Sequence, residues 1–73
     1  MMFASDLVKG KYYVVTGGMK AGRILKFVKL NIFNKNFYNR ARFINEKTNL
    51  VEILSFDELI CVRELTPLEE ELL

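Results

Sequence analysis

The sequence predicts a mainly β domain: a small five-stranded barrel with a 3-10 turn before the last strand and a short C-terminal helix. Three observations predict it. Short runs rich in aromatic and β-branched residues recur at near-regular spacing. Breaks rich in Gly and Asn separate them. The chain has 73 residues, enough for one marginal core, and closing the sheet is the way for so small a core to remove its exposed edges.

The elements read in order. Tyr12-Tyr13-Val14-Val15-Thr16 is an aromatic and β-branched strand stopped by Gly17-Gly18. Arg23 to Leu30 is the second strand. Its apolar residues Ile24, Leu25, Phe27, Val28 and Leu30 fall on both parities, which calls for a β-bulge or a strongly curved strand. Asn31 to Asn36 is a break. Phe37 to Ile44 alternates, with Phe37, Ala41 and Phe43 on one face and Tyr38, Arg40 and Arg42 on the other. Asn45 to Asn49 is a turn, Leu50 to Leu54 the fourth strand and Leu59 to Leu65 the fifth. Ser55-Phe56-Asp57-Glu58 fits a capping box opening one 3-10 turn. Thr66-Pro67-Leu68-Glu69 is a second capping box with Pro at the first helical position. Residues 1–65 are thus read as the barrel and 66–73 as a short acidic helix or tail. Leu68 and Leu72 lie four apart on one helical face. They are expected to dock on the barrel or on a partner.

Composition excludes several functions. Half the residues are hydrophobic, at 51%, too many for a disordered chain. There is no His, and Cys61 is the single cysteine. An intramolecular disulfide and a Cys/His zinc site are therefore impossible. Cys61 is expected as a buried structural thiol. Asp57 and Glu58 are read as partners of the turn's dipole rather than as an acid/base pair. With no nucleophile–base pairing and no phosphate-binding glycine motif, the chain is expected not to be an enzyme and to need no cofactor or metal. No apolar run approaches the roughly 20 residues of a membrane span. The start Met1-Met2-Phe3-Ala4-Ser5-Asp6 lacks the pattern of a secretory signal. A cytoplasmic location follows as an expectation, and a lone thiol suits a reducing compartment.

Charge is more informative than its total of +2. Residues 1–45 hold nine basic side chains against Asp6, a balance of +8. Residues 46–73 hold Lys47 and Arg63 against eight acids, a balance of −6. Such asymmetry points to a polyanionic partner, or to pairing of the two regions within the fold.

The segment Lys9-Gly10-Lys11-Tyr12-Tyr13-Val14-Val15-Thr16-Gly17-Gly18-Met19-Lys20-Ala21-Gly22-Arg23-Ile24 resembles a KOW motif, over about residues 7–30. The resemblance implies that Gly10 opens the strand, that Tyr13 and Val15 point inward and that Gly18 and Gly22 shape the loop, and Gly17 with them permits positive φ there. Where the family pattern has a further Gly, this chain has Leu25. The resemblance implies an SH3-like barrel that contacts RNA, DNA or the transcription and translation machinery. Sm-like barrels share the same strand rhythm.

The residues themselves suggest the same chemistry. Lys20, Arg23, Lys26, Lys29, Lys35, Arg40 and Arg42 supply positive charge, and Tyr38 a stacking surface. Phosphate neutralisation plus stacking is what nucleic-acid binding requires. An alternative is a protein-interaction domain that binds and regulates a larger partner through the acidic C-terminal helix. The Lys-, Asn- and Ile-rich composition fits an AT-rich genome, as in small phage-encoded regulators. Self-association into a homodimer is a third expectation.

Overall fold

The computed structural model describes residues 2–32 and 39–73. Five strands form one antiparallel sheet: β1 (Tyr12–Val15), β2 (Ile24–Asn31), β3 (Arg40–Asn45), β4 (Val51–Ser55) and β5 (Val62–Glu64), in the order β4-β3-β2-β1-β5. A 3-10 turn at Ala4–Asp6 precedes them, and a second at Asp57–Cys61 leads into β5. The helix α1 spans Pro67–Glu71. The mainly β architecture, the 3-10 turn and the terminal helix are those the sequence predicts.

Alternation explains the packing. Tyr13 and Val15 from β1, Leu25 and Phe27 from β2, Ala41 and Phe43 from β3, Leu54 from β4 and Val62 from β5 are buried in one cluster, together with Leu59 of the second 3-10 turn. Tyr13 and Val15 point inward as expected. The cluster lies on one face of the sheet and draws on both edge strands. The sheet must therefore curl around it. Three rings fix its centre: Phe43 meets Phe27 edge-on at 5.5 Å and Tyr13 at 6.4 Å between centroids. The buried Tyr13 hydroxyl accepts a hydrogen bond from the Val8 N–H at 2.9 Å, so no polar atom of that ring is stranded.

Of the two causes the sequence allows for the mixed parity of β2, the structure has the bulge. Phe27 pairs with Phe43, yet Lys29 pairs with Arg42, so one extra residue lies between them. This bulge returns Leu30 to the core side, where it packs against the cluster, and puts Lys29 on the outer face.

Loop geometry follows residue type. Asn45 is buried, and its Oδ1 accepts from the N–H groups of Lys47 and Thr48 at 2.9 and 3.1 Å. The turn closes through Asn49 at φ 61°, a left-handed conformation that Asn tolerates. In the β1–β2 loop, Gly18 and Gly22 have φ of 78° and 91°, which side chains disfavour.

Both capping boxes form. Ser55 N–H donates to Glu58 Oε1 at 3.0 Å, and Glu58 N–H to Ser55 Oγ at 3.3 Å. Thr66 and Glu69 repeat the exchange at 2.8 and 3.2 Å.

The structure corrects three details. Leu59 and Cys61 belong to the 3-10 turn, because its 3-10 bonding runs through to the Val62 N–H, which donates to Leu59 C=O, and β5 begins only at Val62. Cys61 is half-buried rather than sealed, and lines an apolar cleft of about 280 Å³ with Val15, Gly17, Met19 and Leu54. Leu68 and Leu72 do not dock on the sheet: they are 68% and 80% exposed, and α1 has no buried residue. The one-turn helix is tethered by the Arg63–Glu69 ion pair instead. The expected start of the third strand at Phe37 lies outside the described residues.

The open edges carry cations. Asn45 N–H donates to Leu50 C=O, which sets the β3–β4 ladder so that the main-chain groups of Val51 and Ile53 point away from β3. The Lys20 ammonium donates to the Ile53 carbonyl at 3.2 Å. On β5, Arg63 Nη1 donates to the Glu64 carbonyl at 2.9 Å.

The bulge makes a prediction. Leu30→Ala should cost about 2 kcal/mol, the low end for a core leucine, and Val28→Ala under about 1 kcal/mol. Urea unfolding measures both. Equal losses would show that the two residues share a face and that no bulge exists.

Candidate nucleic-acid interface

The outer face of the sheet gathers cations from two neighbouring strands. Lys26 is opposite Ile44 on β3 and Tyr12 on β1. Arg42 is opposite Lys29 on β2 and Ile53 on β4. Arg40 is opposite Asn31 and Ser55. Strands lie about 4.8 Å apart and alternate residues about 7 Å apart along a strand, so these four cations form one field.

Partners distinguish its members. Among the described residues, Lys29 and Arg42 make no ion pair, and Arg42 Nε is buried with no hydrogen-bond acceptor. The Lys26 ammonium lies 6.0 Å from the centroid of the Tyr12 ring, the range of a cation–π contact. Arg40 Nη1 donates to the Asn39 carbonyl at 2.8 Å. Lys29 directly opposite Arg42 is a like-charge cross-strand pair, an arrangement that destabilises a sheet. An unsatisfied buried donor costs about 1–3 kcal/mol more.

Two of the sequence-predicted cations lie elsewhere. Lys20 pairs with Glu58 at 3.2 Å, and Arg23 pairs with Glu52. Glu52 also accepts from Asn45 Nδ2 at 2.8 Å. Lys11 joins Glu64 at 2.7 Å. The basic and acidic regions thus pair in part, and the pairing takes Lys20 and Arg23 away from the sheet-face field. Lys35 and Tyr38 lie outside the described residues.

The glycine loop also differs from an open phosphate cradle. Ala21, Gly22 and Arg23 spend their N–H groups on the carbonyls of Gly18, Val15 and Lys20 at 3.3, 2.7 and 3.2 Å. At Gly17 a Cβ would lie 3.3 Å from Cys61 Sγ, a tight contact. The three glycines shape the loop.

Sequence reading missed Tyr12. Its signal was its parity: in a strand whose Tyr13 faces the core, Tyr12 must face out, and the antiparallel register sets it against Lys26.

No family model, curated protein or solved structure matches the chain. Among the described residues there is no group of three or more His, Cys, Asp or Glu side chains placed to hold a metal ion, and no helix is long and apolar enough to cross a membrane.

Three of the acids that bind the remaining cations, Glu52, Glu58 and Glu69, have lowered pKa values. For Glu69 the Arg63 guanidinium is the main cause, with the Thr66 N–H helping, and its pKa falls to about 2. Burial works to raise Glu52 and Glu58. Asn45 and Arg23 outweigh it at Glu52, and the Ser55 N–H and Lys20 outweigh it at Glu58, so both shift down from 4.5.

Each of these carboxyls has a folded pKa below its unfolded value. Their contribution is therefore complete above pH 4.5 and is lost as pH falls through the lowered values, for Glu69 toward about 2. Urea midpoints should be level near pH 6 and decline below 4.5, with a shallower decline in Glu52→Gln. An acid-side slope identical in that variant would show that Glu52 does not contribute.

Proposed function

We propose that the curled sheet is an SH3-like barrel and acts as a non-catalytic module that binds nucleic acid through the outer face of β2 and β3. The observation that carries the reading is the Lys29–Arg42 cross-strand pair, with Lys26 beside it and no acid partner for Lys29 or Arg42 among the described residues. Repulsion at that rung is relieved when a phosphate oxygen enters between the two charges. The β2 bulge supports the same reading, since it turns Lys29 toward this field. KOW-type resemblance in the β1–β2 segment is consistent with it.

A second reading has an observation of its own. Leu68 and Leu72 stand exposed on an acidic helix, as a docking element for a larger protein would. On that reading Leu68→Ala with Leu72→Ala abolishes capture of the partner while the sheet stays folded.

Fluorescence anisotropy with labelled oligonucleotides tests the leading reading. Three or four phosphate contacts give a slope of log affinity against log salt of about −2 to −4. Lys29→Glu and Arg42→Glu should each weaken binding about tenfold, one charge-assisted phosphate contact's worth. Lys47→Gln, on the β3–β4 turn, should change nothing. A flat salt response, or no binding of DNA or RNA, removes this reading.

A further inference from the structure

We infer that the nucleic acid taken by this face is single-stranded, with its bases laid on Tyr12 and on the aliphatic side chains interleaved with the cations; the inference rests on the nucleic-acid reading above. The rungs supply the argument. Across the outer face, one row runs Val51, Ile44, Lys26, Tyr12, and the next runs Ile53, Arg42, Lys29. Each row thus places charge beside apolar surface, one strand away. Val51 is 58% exposed and Ile53 39%, so part of that surface faces water.

A duplex fits this pattern poorly. It presents phosphates and sugars to a sheet surface, and its bases are reached only through a groove, by a helix or a β-ribbon that enters it. Short Val and Ile side chains standing on a sheet cannot do so. Covering them with phosphate would strip water from charge without returning a hydrogen bond. A single strand has both surfaces available at once. Its phosphates meet Lys26, Lys29 and Arg42, and its unstacked bases cover the aliphatic rungs and stack on Tyr12. Lys26 over the Tyr12 ring already holds a phosphate-binding group beside the aromatic platform.

The field has a boundary on the β5 side. Arg63, opposite Val14 on β1, is bound to Glu69 of α1, and Glu70 and Glu71 follow in the same helix. Fixed negative charge there repels a strand and directs it over β1 to β4.

Anisotropy titrations with three short probes decide the matter: a single-stranded oligonucleotide, the duplex of the same sequence, and an abasic strand of the same length. The single strand should bind at least about tenfold tighter than either, within the range that base–aromatic stacking supplies. Tyr12→Leu should weaken the single strand about tenfold and leave the abasic strand unchanged, while Tyr12→Phe should retain binding. Circular dichroism of each variant checks that the sheet is intact, and Ile53→Thr gives a second probe on another strand, expected to weaken only the base-bearing probe. If duplex and abasic strand bind as tightly as the single strand, the inference is overturned and a plain phosphate-binding surface stands. If no probe binds, the nucleic-acid reading itself falls.

Discussion

The edge-on contacts of Phe43 with Phe27 and Tyr13 are the constraint to which the other elements answer. A sheet with one apolar face and no second layer must bend until that face is hidden. The three rings set how far it bends, and every strand sends at least one side chain to the cluster around them. The long strand β2 lies next to both β1 and β3 and has to follow the curve. Its extra residue supplies the bend, and the same irregularity decides which way Lys29 points.

Charge is distributed by that geometry. Three of the four ion pairs among the described residues join the basic N-terminal region to the acidic C-terminal one: Lys11–Glu64, Lys20–Glu58 and Arg23–Glu52. They are mostly solvent-exposed pairs, each worth no more than about 1 kcal/mol, so their larger effect is on where positive charge is left over. It is left over where β2 and β3 lie side by side. A chain with a net charge of only +2 can in this way present a concentrated positive field on one face.

Much of the fold was legible because its signals are local. The aromatic and β-branched run at Tyr12–Val15, the alternation in Arg40–Asn45, both capping boxes and the Asn45–Asn49 turn are written in neighbouring residues, and the structure has each of them. Even the bulge showed as a parity fault in β2. What was not legible depends on residues far apart in the chain. Lys20 and Arg23 find acids 38 and 29 positions away, and no periodicity reports such a meeting. Leu59 reads as strand because it is apolar, yet it fills the core from a 3-10 turn. Leu68 and Leu72 have the spacing of a docked helix face, but a one-turn helix held by a single ion pair does not bring them to the sheet. Tyr12 became visible as a surface residue only when register placed it against Lys26.

The two edge carbonyls held by Lys20 and Arg63 bear on what happens when many copies crowd together. A strand rim with vacant acceptors is a template for another chain, and repeated addition leads to fibrils. Here each incoming strand would have to displace a tethered ammonium or guanidinium and bring its own backbone past a fixed positive charge. Long flexible side chains at the rims thus act as gatekeepers that oppose strand addition at those two carbonyls.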